Sequence, residues 1–143
     1  MPKRPDSAPG AALLQGCSQK GHNRMPGQQA GDWTARPCPE CMGLFEPKVV
    51  NQLFCKPEHN TAWNNRATKR GRVLTPLSIV ARVTRNGTRG TPEAREAGRV
   101  ASSQHNTLIQ RYRDEDRAAN DGKGRMEWPD FMILRIRQGF DPL

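Results

Sequence analysis

The sequence predicts a small α+β fold: a metal-bound knuckle, a β-hairpin and a helix, followed by two or three more α-helices, with a disordered N-terminal arm. Three observations predict it. Cys38-Pro39-Glu40-Cys41 and Cys55-Lys56-Pro57-Glu58-His59 carry four metal-ligand side chains in two close pairs. Thr91-Pro92-Glu93 is a helix start, with a capping threonine, proline in the first turn and an acid at the positive end. Composition limits the core: of 143 residues only 34% are hydrophobic and 6% aromatic, with 12 Pro and 13 Gly. So small a core needs help, and a structural metal is one usual form of it.

Residues 1–35 read as a disordered basic arm. Pro, Gly, Gln, Ser and Ala dominate, and Ala11 to Leu14 is its one apolar cluster. Cys17 and His22 lack two further ligands nearby, so Cys17 reads as an unpaired thiol. Trp33 is placed to pack over the hairpin. Residues 36–72 form the metal module. Two residues separate Cys38 from Cys41, as a tight turn needs to aim two thiolates at one ion. Three residues separate Cys55 from His59, which puts both on one face of a first helical turn that Pro57 opens. Three Cys and one His fill a structural zinc tetrahedron. A redox CxxC would open a helix within a longer α/β pattern, which is missing. The hairpin should pair Leu44-Phe45 with Leu53-Phe54, making Phe45 and Phe54 a small core. The following helix should turn Trp63 inward and end at Gly71.

Residues 73–90 read as a basic linker with a short helix capped by Thr75 before Pro76. Residues 91–143 read as a helical hairpin. Its first helix, to about Ala119, carries an apolar stripe of Ala97, Ala101, Leu108 and Tyr112, with His105 packed on it. Asn120 to Gly124 is a loop, and Trp128-Pro129-Asp130 starts the last helix. That helix is too short to cover the stripe, so the stripe is a candidate partner interface.

The run Cys-Pro-x-Cys-x-x-x-Phe-x-Pro, then Gln-x-Phe-Cys-x-Pro-x-His, then Arg66 and Lys69-Arg70-Gly71-Arg72, resembles treble-clef zinc fingers of small bacterial and phage proteins. The resemblance covers about residues 36–72. Such proteins typically read Phe-Cys-Ser-Pro-x-Cys-Arg at the second pair; here His59 stands at the last ligand and Asn60 at the arginine. It implies a zinc knuckle, a β-hairpin and a helix supplying the last two ligands, Cys55 and His59, and it implies no single activity.

Charge is unevenly spread. The net charge is +9, and residues 60–90 hold seven basic side chains and no acid, while 91–143 is neutral. Arg66, Lys69, Arg70, Arg72, Arg82, Arg85 and Arg89 are therefore the candidate nucleic-acid contacts, through phosphates. The expected function is a zinc-stabilised DNA- or RNA-binding factor of a phage or bacterium. The alternative is a factor docking on a polymerase, ribosome or phage particle through residues 91–143, with zinc purely structural. No enzyme constellation is present: a ββα-metal nuclease needs a hairpin histidine, and Gly43 to Phe54 has none. No apolar run approaches a membrane span, and cysteines without a signal peptide point to a cytoplasmic setting, the host's if phage-encoded.

Overall fold

The computed structural model describes residues 34–141. The proposed arm, with Cys17, His22 and Trp33, lies outside the described residues over 1–33. The described part is a small α+β fold of a two-stranded antiparallel hairpin and three helices: β1 (Arg36–Pro37), β2 (Leu44–Phe45), α1 (Pro57–Val83), α2 (Pro92–Ala118) and α3 (Trp128–Arg137).

The hairpin differs from the expected one. Leu44-Phe45 pairs with Arg36-Pro37, in the register Arg36 with Phe45 and Pro37 with Leu44. Glu46-Pro47 then ends the strand, since proline cannot donate to a ladder. Residues 46–53 return as a loop held by side chains. Arg36 Nη1 donates to the Val50 and Gln52 carbonyls at 3.2 Å each. Gln52 accepts from Lys48 N–H and donates to the Phe54 carbonyl, both at 2.8 Å. Leu53 and Phe54 are buried without belonging to a strand.

The helix boundaries also differ. No break occurs at Gly71, and no second helix starts at Thr75; α1 runs unbroken through Gly71 and Pro76. Glycine and an internal proline both disfavour a helix, but packing against α2 offsets them. Pro76 is exposed, so water can reach the Arg72 carbonyl that loses its donor. The inward positions of α1 (Ala67, Leu74, Leu77, Ala81) and of α2 (Gly98, Ala101, Leu108, Tyr112) recur at steps of three, four and seven residues. The two helices have equal length, 27 residues each. The stripe expected to face a partner is covered in part by α1, which lies along it, with Ala101 buried, Leu108 and Tyr112 half-buried and Ala97 exposed.

At the hairpin turn α2 comes close enough to require glycine. A Cβ on Gly98 would sit 2.0 Å from Thr84 Oγ1, and one on Gly87 2.5 Å from the Arg95 carbonyl. Thr91 caps α2 as expected, accepting from Ala94 N–H at 3.2 Å.

The core sits at the other end, where α3 folds back onto the metal module. Cys38, Leu53, Phe54, Trp63, Met126 and Phe131 are buried together. Trp63 is the hub, with ring centroids 4.8 Å from Phe131, 5.0 Å from Trp128 and 6.1 Å from Phe54. No helix among the described residues is long and apolar enough to cross a membrane.

Candidate metal centre and its ionic frame

The knuckle turns tightly because its backbone closes on itself. Met42 N–H donates to the Cys38 carbonyl at 2.8 Å and Cys38 N–H to the Gly43 carbonyl at 2.9 Å. Met42 takes the left-handed conformation the turn requires, φ 58°. This aims Cys38 and Cys41 at the start of α1. There Lys56 is extended, Pro57 takes the first helical position, and Cys55 and His59 flank the entry.

The four donors converge. Cys38, Cys41, Cys55 and His59 place one ligand atom each, all within 4.8 Å of one another. His59 Nδ1 lies 3.1 Å from Cys55 Sγ and 3.5 Å from Cys38 Sγ, and Cys41 Sγ lies 3.9 Å from Cys55 Sγ. Nδ1 is the ring nitrogen that faces the sulfurs, so His59 would ligate an ion through it. Cys38 is fully buried and the other three donors are half-buried. The set can hold one metal ion.

The electrostatics suit a cation. Burial would raise the Cys38 thiol, but backbone N–H groups of Cys55, Cys41 and Glu40 hold it below its usual value. Desolvation and the neighbouring Cys38 and Cys41 sulfurs push the Cys55 thiol up to about 12. Three sulfurs this close repel as thiolates, and a bound dication reverses that penalty.

Sequence reasoning missed the frame around this site. Glu40, inside the knuckle, and Asp116, on α2, are both buried. Arg66 donates bidentately to Glu40, Nη1 to Oε1 at 3.0 Å and Nη2 to Oε2 at 2.6 Å. Arg125 bridges Glu40 and Asp116 at 3.2 and 3.1 Å. Arg70 donates to Asp116 at 2.7 Å and to Glu115 at 3.1 Å, over the Tyr112 ring. Backbone groups join in: Met126 N–H donates to the Pro39 carbonyl at 2.9 Å, and Asn120 Nδ2 to the Glu40 carbonyl at 2.7 Å. The 119–126 loop thus clamps the knuckle onto the helical hairpin. A signal for this existed. A carboxylate between two converging cysteines is drawn inward, and a buried carboxylate needs a cationic partner.

The seven candidate phosphate contacts therefore divide. Arg66 and Arg70 are engaged by acids inside the fold. Lys69, Arg72, Arg82, Arg85 and Arg89 are exposed and make no ion pair among the described residues. No family model matches this chain, and no curated protein or solved structure matches it.

Proposed function

We propose that this protein is a zinc-stapled nucleic-acid-binding module of treble-clef type that holds phosphates through the exposed cations of α1 and the turn after it. The donor set favours zinc: a tetrahedron with Zn–S near 2.3 Å and Zn–N near 2.0 Å has edges of about 3.8 Å between sulfurs and about 3.5 Å between sulfur and nitrogen. Three of the six donor spacings, 3.1, 3.5 and 3.9 Å, straddle those values, and all six stay within 4.8 Å. Four protein donors leave no open position for substrate, so the ion staples rather than catalyses.

The nucleic-acid reading is carried by one observation. Residues 60–90 hold no acid, the acids that reach this stretch from elsewhere, Glu40, Glu115 and Asp116, are engaged by Arg66, Arg70 and Arg125, and Lys69, Arg72, Arg82, Arg85 and Arg89 stay exposed with no ion pair among the described residues. Phosphates are the partner that such a surface fits, whether on DNA or RNA. If all five make contacts, the log–log salt dependence should have a slope of about −4.5 on duplex DNA and about −3.5 on single strands. A fluorescence-anisotropy salt titration checks this. Absence of binding at low salt, or binding that ignores salt, overturns the reading.

A protein-docking role is the second reading, and a specific surface favours it. Val73, Ile79, Val83 and Val100 are exposed along the helical hairpin, and Val73, Pro76, Leu77 and Leu108 line a shallow apolar groove there. Under that reading the groove meets a protein partner and the metal keeps its structural role.

A further inference from the structure

The basic residue expected at the finger itself, Arg66, faces inward, which moves the question to the far end of α1. There the end of α1, the turn and the middle of α2 enclose an open notch. Arg82, Arg85 and Arg89 line it with Asn86, His105 and Asn106, and none of its lining residues is acidic. Arg82 follows His59 by 23 residues on one helix, about 35 Å at 1.5 Å per residue. The notch and the metal centre thus occupy opposite ends of the molecule.

The notch is held in shape before any ligand arrives. The Thr84 carbonyl accepts from Gly87, Thr88 and Arg89 N–H at 3.1, 3.0 and 2.9 Å, and Asn86 N–H donates to the Ala81 carbonyl at 2.7 Å. Arg85 and Asn86 both sit in the left-handed region, φ 47° and 56°, and both are exposed. Gly98 packs against Thr84 and Gly87 and fixes the turn on α2. Arg82 is presented by the last turn of α1 and Arg85 and Arg89 by the hydrogen-bonded turn after it, and none of the lining residues is a carboxylate that would cancel their charge. Planar guanidiniums bind phosphate oxygens bidentately, and side-chain amides such as Asn86 and Asn106 add neutral donors to phosphate and sugar.

We infer that this notch is the seat for adjacent phosphates of a nucleic-acid backbone, so that the helical-hairpin tip, rather than the metal module, is the nucleic-acid-binding end. This rests on the nucleic-acid reading above and narrows it: Arg82, Arg85 and Arg89 grip phosphates, Asn86, His105 and Asn106 complete the seat, and Lys69 and Arg72 add only to the surrounding field.

The test is fluorescence anisotropy of the full, metal-loaded chain with labelled single-stranded RNA, single-stranded DNA and duplex DNA. Two double variants with equal charge change are compared, Arg82→Ala with Arg89→Ala, and Lys69→Ala with Arg72→Ala. The notch pair should weaken binding about ten-fold more than the α1 pair, because contacts made in a seat add to the charge effect both pairs share. Asn106→Ala, which changes no charge and removes an exposed side chain, should weaken binding about three-fold, as loss of one hydrogen bond does. It also decides the matter should a double variant fail to fold. Equal losses from the two pairs, with Asn106→Ala silent, overturn the notch while leaving nucleic-acid binding in place. Failure of the unmodified chain to bind any of the three probes at low salt overturns both.

Discussion

Cys55→Ser is expected to abolish stable metal binding and unfold the aromatic core at that end of the molecule. Cys55 stands at the centre of the donor set, 3.1 Å from His59 Nδ1 and 3.9 Å from Cys41 Sγ. Structural zinc sites contribute on the order of 10 kcal/mol of apparent binding energy. Whole domains are stable by only about 5–15 kcal/mol, so losing the site removes most of what holds this end. The sulfurs back directly onto Phe54, Trp63 and Phe131 through Cys38. Tryptophan emission should therefore shift red, since Trp63 and Trp128 lose their burial, and zinc should be lost on dialysis. Native emission with full zinc retention in Cys55→Ser would show that Cys55 is no ligand.

Glu40→Ala is the second large effect, and it acts without touching a metal ligand. Its carboxylate receives two bonds from Arg66 and one from Arg125. Removing it leaves three guanidiniums around Asp116, with only Glu115 to help. Breaking a buried pair from one side costs roughly 3–5 kcal/mol. The Arg66 and Arg125 side chains keep 20% and 22% of their exposure, so water offsets part of this and about 2–3 kcal/mol is expected. That corresponds to a fall in Tm of roughly 10 °C or more for a domain of this size. Glu96→Ala is the matched control. Glu96 pairs with Arg99 on the exposed face of α2, and such surface pairs contribute under about 1 kcal/mol. Thermal unfolding followed by circular dichroism separates the two. Equal, small losses would mean that the clamp on the knuckle is incidental.

The contrast between these two residues shows what the sequence reveals and what it hides. Cys38, Cys41, Cys55 and His59 can be found because their chemistry is rare and their spacing is local. Thr91-Pro92 can be found because capping is decided within one turn of chain. Glu40 could not be matched to its partners, because Arg66 lies 26 and Arg125 85 positions away, and nothing local records such a pairing. The same holds for Arg66 and Arg70, which read as free cations from charge alone and are held inside by acids of distant segments. Gly71 carries a genuine stop signal and Thr75-Pro76 a genuine start signal, but a long stripe matched to α2 outweighs local preference over α1. The strand pairing was hidden for a different reason. Strands of two residues each are too short to show an alternating pattern, so the turn of the knuckle decided it.

The proposed zinc ion at one end of α1 and the proposed phosphate seat at the other are tested together by native mass spectrometry of the full chain mixed with a short single-stranded RNA. The expected spectrum shows one zinc per chain in the free protein and the same one zinc in the protein–RNA complex. A compact chain at its bare mass, or a complex that forms only after zinc has left, would contradict it.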